Sequence, residues 1–245
     1  LCGATALLFT DTEHARFQLR ISVPFADRVY TVESFADDLG DHQIRYPGLH
    51  ELAYLHPNRF EPDDIRSRYD IDPDRNLAVV RQISWEAVHD IGHSGFDRLE
   101  TLVEELDADD VQVRITAEGD LPSQLEPYQV TVPPEEIHDL LYHADVLIGE
   151  SGTMTLESAV LGTPAVFVAS FTAGVIEELD SEYGLVCVPD AERPTGIVDC
   201  AKRLLRTDPS VWERRRQQLL DDKVDTTAFI HEEIQSLDGA VSTRG

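Results

Sequence analysis

The feature that most constrains this chain is a repeated alternation of short apolar runs with longer amphipathic segments. The apolar runs are rich in β-branched residues and bounded by turn-forming residues, which is typical of buried strands. Strands are predicted at residues 4–9, 28–31, 77–83, 111–117, 146–148, 165–168 and 185–188. Helices are predicted between them at residues 96–106, 134–142, 152–161, 175–183, 194–206 and 210–222. This alternation predicts an α/β fold of βα units with mostly parallel sheets.

The net charge of the chain excludes some classes of binding partner. The chain has 47 acidic and 20 basic residues, a formal net charge of -27, and its only lysines are Lys202 and Lys223. Such a surface repels nucleic acid and anionic membranes, so neither is expected as a partner. Molar salt shortens the Debye length to about 3 Å and mutes the self-repulsion. We therefore expect a salt-adapted cytoplasm, with an acidic partner-binding surface as the alternative.

The cysteines and apolar runs bear on location. No run reaches the roughly 18 apolar residues of a membrane-spanning helix, and the first residues lack the basic flank of a secretory signal. The cysteines Cys2, Cys187 and Cys200 are odd in number and lack metal-ligand spacing. They are predicted to be buried thiols in a reducing compartment, and the predicted location is the cytoplasm.

Composition also suggests boundaries. Residues 61–75 are acidic, interrupted by proline and poor in large apolar residues, which is typical of a connection between domains. The tail after Leu237 is small and polar. The only methionine is Met154 and the chain opens on an apolar run, so further structure is expected before Leu1.

The stretch GESGTMTLESAVLGTPAVFV, residues 149–168, follows a predicted strand. Ser151 is predicted to cap a helix that begins at Gly152, where the absence of a Cβ permits close approach. The free N–H groups of Gly152, Thr153 and Met154 would favour an anion such as a phosphate. Glu157 offers two acceptor oxygens for the hydroxyls of a ribose. The alternative is an ordinary helix cap with Glu157 as a solvated residue.

Polar residues also lie at the end of the predicted strand 77–83 and in the turn that follows it. Arg81 could pair with a phosphate, and His89 beside Asp90 could act as a general acid or base. The alternatives for this turn are a capping histidine, or a metal site formed by His89, Asp90 and His93.

After the first predicted strand come Asp11, Thr12, Glu13 and His14, which could serve proton transfer or cap a helix. Residues 46–57, YPGLHELAYLHP, could line a cleft between domains or form a packed hinge.

Four motifs together resemble the family named domain of unknown function 354, which is common in archaea. They are DTEHA (11–15), YPGLHELAYLHP (46–57), RQISWEAVHDIG (81–92) and GESGTMTLESAVLGTPAV (149–166). That family is similar to the GT-B superfamily, which includes nucleotide-sugar glycosyltransferases and non-hydrolysing UDP-N-acetylglucosamine 2-epimerases. The resemblance implies two facing Rossmann-like domains, the first incomplete in this chain, with a last helix that crosses back.

The implied organisation is a remnant of the N-terminal domain at residues 1–57, a linker at 58–75, a nucleotide-sugar-binding domain at 76–222, and a crossing helix with a polar tail at 223–245. By the same resemblance the turn from Gly149 through Glu150 to Thr153 receives the diphosphate. Glu157 binds the ribose, and the chain near Val132 and Ile137 passes the base. Glu13, and Arg81 with His89, occupy places comparable to epimerase residues, although the epimerase His-Arg-Arg-Glu run is absent.

We therefore expect a glycosyltransferase-like enzyme that takes a UDP-sugar and an unknown acceptor for surface or envelope carbohydrate synthesis. Glu13 or His89 would deprotonate the acceptor, and neither a metal nor a tightly bound cofactor is expected. In an epimerase alternative, Glu13, Asp11 and His89 would move a sugar proton, and a non-catalytic sugar-nucleotide-binding protein is the third hypothesis. Peripheral membrane association and the oligomeric state stay open.

Overall fold

Two parallel β-sheets form the framework of the computed structural model, which describes residues 4–82, 95–117, 119–168, 173–190, 193 and 195–242. The first sheet has the order β1-β2-β3, and the second has the order β5-β4-β6-β7-β8. The strands are β1 (Leu7–Thr10), β2 (Arg28–Val32), β3 (Gln43–Tyr46), β4 (Leu77–Gln82), β5 (Gln112–Ala117), β6 (Val146–Gly149), β7 (Ala165–Phe167) and β8 (Val186–Cys187). The predicted α/β class with mostly parallel sheets is confirmed.

Helices cover the sheets and connect their strands. They are α1 (Arg16–Ser22), α2 (Leu52–Leu55), α3 (Gly95–Ala108), α4 (Ile137–Tyr142), α5 (Gly152–Leu161), α6 (Gly174–Glu178), α7 (Gly196–Leu205), α8 (Pro209–Asp222) and α9 (Thr226–Ser242). A 3₁₀ turn precedes α4, and a wider π-helical turn, Leu179–Tyr183, continues α6. Among the described residues no helix is long and apolar enough to cross a membrane.

The sequence predicted most of these elements, with two informative differences. β1 begins later than predicted because the Ala6 N–H donates to the Asp27 carboxylate at 2.8 Å instead of joining the strand ladder. β3 was not predicted, since its residues Gln43, Ile44 and Arg45 carry no run of buried apolar side chains. Helix α5 has the predicted bounds.

The order of the second sheet creates a crevice at the carboxyl ends of β4 and β6. The chain leaves β4 for β5 on one side and then returns to place β6 on the other side. In open parallel sheets, ligands bind at such a topological switch point. The residues that follow these two strands are therefore the first to consider as a site.

The chain crosses between the sheets twice, and the crossings are bonded to each other. The Val224 N–H donates to the Pro47 carbonyl at 2.7 Å, and the Thr226 hydroxyl donates to the Leu49 carbonyl at 2.6 Å. Beyond this point α9 packs on the first sheet. Its Phe229 stacks on Tyr46 with ring centroids 4.8 Å apart.

The segment between the sheets is packed rather than free. Leu52 and Leu55 of α2, with Ile65 and Ile71 further on, are buried in the hydrophobic core around the second sheet. The Asp63 N–H also donates to the Asp139 carboxylate at 2.8 Å. The predicted linker is thus attached to the second sheet by apolar side chains and by a hydrogen bond.

The prediction of free thiols is wrong for two of the three cysteines. Cys187 at the end of β8 and Cys200 in α7 form a disulfide, with their Cα atoms 6.3 Å apart. Packing of α7 beside β8 brings the two side chains together, which their separation of 13 residues did not reveal. Cys2 lies outside the described residues.

Candidate functional site

The two strands at the switch point approach each other closely because one carries glycine. Gly149 of β6 lies opposite Arg81 of β4 in the parallel ladder. A Cβ atom at residue 149 would stand only 2.8 Å from the Arg81 carbonyl oxygen. Glycine therefore allows the end of β6 to lie against Arg81, and the following turn begins beside that arginine.

Helix α5 begins at this turn with an open N-terminus. Ser151 is its N-cap, and the Ser151 hydroxyl accepts a hydrogen bond from the Met154 N–H at 3.3 Å. A Cβ atom at Gly152 would meet nothing within 4 Å. The predicted cap is confirmed, but it uses the Met154 N–H, which was predicted to be free, so the N–H groups of Gly152 and Thr153 are the ones that could bind an anion.

A cavity of about 320 Å³ adjoins the switch point. Arg81, Thr116 at the end of β5, and Met154 of α5 line it. Val132 and Ile137, which the sequence placed beside a nucleotide base, also line it. Its size is at the lower end of the range for small-molecule sites, and its walls combine apolar side chains with one cation.

Glu157 is buried and held by side chains from two other elements. Its residue is 8% exposed, so the alternative of a solvated helix residue is wrong. The Glu157 Oε1 atom accepts a hydrogen bond from the Tyr54 hydroxyl at 2.9 Å and lies 3.0 Å from the His138 Nε2 atom. Both of these contacts are made by Oε1.

Glu13 spans the two sheets. Its Oε1 atom accepts the Ala36 N–H at 2.7 Å, and its Oε2 atom accepts the Gly174 N–H at 3.2 Å. A Cβ atom at Gly174 would stand 1.8 Å from the Ser34 carbonyl oxygen, so only glycine permits this approach. Because both carboxylate oxygens bind backbone N–H groups, the geometry favours a connecting role for Glu13 over the predicted role in proton transfer.

Asp11 pairs with a histidine that comes after β3. The Asp11 Oδ2 atom lies 3.1 Å from the His50 Nδ1 atom, and the Thr12 hydroxyl donates to Oδ1 at 2.9 Å. Burial disfavours the Asp11 carboxylate, but the His50 hydrogen bond and charge outweigh it and lower the pKa of Asp11. For His50 burial opposes the charged form, and the bond to Asp11 prevails and raises the pKa of its imidazole.

The Asp11–His50 pair opens on a second cavity, of about 390 Å³. Phe9, Thr12 and Gln18 also line this space, which lies at the carboxyl end of β1. The cavity therefore places an ionisable pair in a space lined by residues of β1 and α1.

Glu51 adds a buried carboxyl group beside this pair. It is 4% exposed, and its Oε2 atom has no hydrogen-bond partner among the described residues. Burial raises the pKa of Glu51 to about 7, its own backbone N–H opposes that shift, and the negative charge of Asp11 adds to it. Glu51 is therefore a carboxyl group that changes charge near neutral pH.

The structure brings some predicted residues together and leaves others untested. Arg81, Val132 and Ile137 line one cavity, and the turn of Glu150, Ser151 and Gly152 follows Gly149, which pairs with Arg81. Thr153 is exposed on the first turn of α5. The predicted His89, with Asp90 and His93 of the metal alternative, lies outside the described residues. In the described part of the chain no group of three histidine, cysteine or acidic side chains could hold a metal.

Sequence reasoning missed the partners of Glu157 and Asp11. His138 lies in the segment that was assigned to the base, and His50 and Tyr54 lie in the motif that was left open between cleft and hinge. The signal in the sequence was that His50, Tyr54 and His138 each lie in a segment already singled out as a motif. Their partners are distant along the chain, since Tyr54 and Glu157 are 103 residues apart.

Comparisons with known proteins show the family to which the chain belongs. The family model "Protein of unknown function (DUF354)" matches residues 3–226, so the chain belongs to that family. A curated relative, uncharacterized protein MJ0665 of Methanocaldococcus jannaschii, is 26% identical over 178 residues, which are 65% of this chain and 50% of the relative. The chain thus spans about half the length of that relative.

Solved structures of glycosyltransferases and of a UDP-GlcNAc 2-epimerase share the fold. UDP-GlcNAc 2-epimerase from Neisseria meningitidis, bound to UDP-GlcNAc, is similar with a TM-score of 0.61 at 11% identity, over 89% of this chain and 63% of that one. The calicheamicin glycosyltransferase CalG4 gives a TM-score of 0.55 at 21% identity, over 88% and 55%. The glycosyltransferase VinC in complex with DTDP gives 0.55 at 17% identity, over 89% and 52%. The chain therefore has a GT-B-like fold related to glycosyltransferases and UDP-GlcNAc 2-epimerases.

Proposed function

We propose that this member of the DUF354 family is a glycosyltransferase-like enzyme that binds a UDP-sugar, for the synthesis of surface or envelope carbohydrate. The observation that carries the proposal is the open, capped N-terminus of α5 beside Arg81 at the switch point of the second sheet. The fold and the cavity support it, because both suit a ligand with an anionic centre and a flat apolar end.

Each part of a nucleoside diphosphate has a suitable neighbour. The diphosphate would accept the N–H groups of Gly152 and Thr153 and pair with Arg81, which can bind phosphate through two N–H groups. The base would lie in the cavity beside Val132 and Ile137. The ribose hydroxyls would donate to the Oε2 atom of Glu157. Glu150 would border the diphosphate from the turn before α5.

The same contacts would support transfer of the sugar. Negative charge accumulates on the diphosphate as its bond to the sugar breaks, and the helix N–H groups and Arg81 would stabilise that charge. The chain's own residues would thus supply the electrostatic stabilisation. The neighbours solved with DTDP and with UDP-GlcNAc support a nucleotide ligand by analogy of fold.

Titration calorimetry in molar salt tests the binding step on the full-length protein. We expect UDP and UDP-N-acetylglucosamine to bind, and Arg81→Ala to weaken both by about 10-fold or more, because a charge-assisted contact contributes roughly 1.5–3 kcal/mol. Arg66→Ala is the matched control, since its guanidinium pairs with the exposed Asp64. Failure of the wild-type protein to bind any uridine nucleotide would refute the proposal.

Epimerisation is the second candidate, favoured by the similarity to a structure of an epimerase with UDP-GlcNAc bound. In this reaction Asp11, with the predicted His89, would move the proton at sugar C2, whereas the Glu13 carboxylate is bonded to backbone N–H groups of both sheets. Proton NMR of UDP-N-acetylglucosamine in heavy water separates the two, because only an epimerase exchanges C2 deuterium without an acceptor.

A non-catalytic sugar-nucleotide-binding protein is the third candidate. It would bind UDP with the same dependence on Arg81 and yet release no product from any donor, with or without an acceptor. Measuring UDP binding and UDP release on one preparation distinguishes it from both enzymes.

A further inference from the structure

We infer that a cavity at the amino ends of the second sheet's strands binds a small zwitterion of the amino-acid kind, with one carboxylate, one ammonium group and an apolar body. This site is separate from the proposed UDP-sugar site and does not depend on it. The inference rests on charges of opposite sign that line one cavity and do not pair with each other.

The cavity has a volume of about 380 Å³ and lies at the opposite end of the sheet from the switch point. Asn76, Asp145 and Pro164 line it, and these residues immediately precede β4, β6 and β7. Helix α5 begins at the switch point and ends at this cavity, where Leu161 forms part of the wall. The volume is within the range of small-molecule sites.

Apolar side chains from three helices form one part of the wall. They are Leu161 of α5, Leu204 of α7, and Trp212 and Leu220 of α8. Leu204 and Trp212 are almost fully buried, so the surface that they present is fixed by the packing around it. An apolar body of a ligand would lose its contact with water against these side chains, which favours binding.

Arg216 of α8 supplies the cation. Its stem packs against Gly162, where a Cβ atom would stand 2.7 Å from the Arg216 Cδ atom, and its Nε atom donates to the Val160 carbonyl at 3.0 Å. The two Nη groups bond to nothing among the described residues, and neither is buried away from solvent. Capping of α5 therefore uses only the Nε–H group, and the Nη groups stay available to a carboxylate.

Arg216 lacks a counter-charge although acids are close at hand. The chain has 47 acidic residues, and two of them, Asp145 and Glu213, line the same cavity. Arg216 forms an ion pair with neither of them, nor with another acid in the part of the chain that the structure describes. Burial lowers the pKa of Arg216, so its charge is partly desolvated. Because an unpaired, partly desolvated cation is costly, a ligand carboxylate would offset that cost.

The acids of the cavity decide against a plain anion. The Asp145 Oδ2 atom accepts the Leu77 N–H at 2.7 Å, and Asp145 forms no ion pair within the described part of the chain. Burial raises the pKa of Asp145, and the bond from Leu77 opposes that shift. A ligand with only a negative charge would face the repulsion of Asp145 and Glu213. A zwitterion satisfies both signs, because its carboxylate pairs with Arg216 and its ammonium group donates to Asp145.

Matched probes test the two charged ends of the ligand. They are L-leucine and L-phenylalanine, with two analogues of leucine: isocaproate, which lacks the ammonium group, and isoamylamine, which lacks the carboxylate. Titration calorimetry of the full-length protein in molar salt, without nucleotide, measures binding. We expect L-leucine to bind and each analogue to bind about 10-fold more weakly or worse, because each loses one charge-assisted contact.

Variants of the chain test the same contacts. Arg216→Gln removes the cation, and Asp145→Asn removes the negative charge but keeps an acceptor for the Leu77 N–H. Each should lower the affinity for L-leucine by about 10-fold or more. Arg214→Gln is the matched control, because Arg214 lies on the same helix, is exposed, donates to the Ser210 carbonyl at 3.1 Å and does not line the cavity.

Each result has a defined reading. Loss of affinity in both variants and with both analogues supports the zwitterion site. Absence of binding of either amino acid to the wild-type protein at about 10 mM overturns it. Equal binding of L-leucine and isocaproate also overturns it, as do equal affinities of Arg216→Gln and Arg214→Gln. Denaturant unfolding checks the fold of every variant, and if Arg216→Gln does not fold, Asp145→Asn and the analogues decide. UDP binding is measured separately, so these results leave the nucleotide site untouched.

Discussion

Tyr54 of α2 donates a hydrogen bond of 2.9 Å to Glu157 of α5 and so joins residues that are 103 positions apart. The contact holds the Glu157 carboxylate where the segment that follows the first sheet meets the second sheet. A carboxylate held in this way loses little side-chain entropy when it binds a ligand. Glu157 is therefore the residue whose replacement is most informative.

Glu157→Gln should weaken UDP binding by about 10-fold or more, because the neutral amide replaces a charge-assisted acceptor of ribose hydroxyls. The loss should be smaller for 2′-deoxy-UDP, which lacks one of those hydroxyls. Calorimetry with both nucleotides measures the difference. Tyr54→Phe is the control for the internal hydrogen bond. Equal losses for UDP and 2′-deoxy-UDP would show that Glu157 does not contact the 2′-hydroxyl.

Two glycines at the same turn should respond differently to alanine. A methyl group at Gly152 enters open space, so Gly152→Ala should leave the free energy of unfolding nearly unchanged. It should weaken UDP binding, because the methyl group would occupy the space proposed for the diphosphate. A methyl group at Gly149 meets the Arg81 carbonyl at 2.8 Å, so Gly149→Ala should cost about 1–3 kcal/mol of stability. Denaturant unfolding and calorimetry measure the two effects. Unchanged UDP affinity in Gly152→Ala would place the diphosphate elsewhere.

Gly174→Ala should push Ser34 and α6 apart, because the added Cβ atom would lie 1.8 Å from the Ser34 carbonyl oxygen. Loss of that approach also removes the hydrogen bond from the Gly174 N–H to Glu13. We expect a larger radius of gyration in small-angle X-ray scattering of the full-length protein. Glu13→Gln keeps the backbone contact and serves as the comparison. A scattering profile identical to that of the wild-type protein would contradict this expectation.

Glu51→Gln should stabilise the protein above neutral pH. The pKa of Glu51 is raised from 4.5 to about 7, so the folded state binds its proton more tightly than the unfolded state. Protonation of Glu51 therefore favours the folded state. This contribution to the free energy of unfolding is fully present below pH 4.5 and is lost as the pH rises through 7. Replacement by the neutral amide should therefore raise the free energy of unfolding at pH 8 by roughly 1–3 kcal/mol and change it little at pH 4.5. Denaturant unfolding in molar salt at both pH values measures this. Stabilisation of equal size at both would point to packing.

Cys200→Ala should lower the free energy of unfolding by about 3 kcal/mol, the chain-entropy value for a loop of this size. Cys187 and Cys200 enclose a separation of 13 residues. Intact mass with and without alkylation reports the bond, and denaturant unfolding reports its energy. Cys2→Ala is the matched control. A reducing agent should reproduce the effect of Cys200→Ala in the wild-type protein and have none in that variant.

The sequence predicts local structure well and pairing poorly. The start of α5 follows from Ser151 and Gly152 alone, because capping depends on a few adjacent residues. The register of Gly149 against Arg81 depends on β4 and β6, which are separated by β5 and two helices. No local pattern contains that information. The same reason explains why the disulfide was missed.

The residues of the candidate site show the same difference between local structure and pairing. The capped turn before α5 was predicted because its residues are consecutive. The Asp11–His50 pair was not, because the two residues meet only when β1 and the segment after β3 lie side by side. Glu13 carried the expected residue type at the expected place, yet its oxygens are used by the N–H groups of Ala36 and Gly174. Chemistry cannot be assigned from residue type before the partners are known.

The two crossings between the sheets have a mechanical consequence. Pro47 and Val224 are hydrogen-bonded to each other, and Lys223 beside them forms a buried ion pair with Glu178. Two connections held at one place act as a single pivot rather than as two separate tethers. A substitution that disrupts this one place would therefore loosen both connections at once.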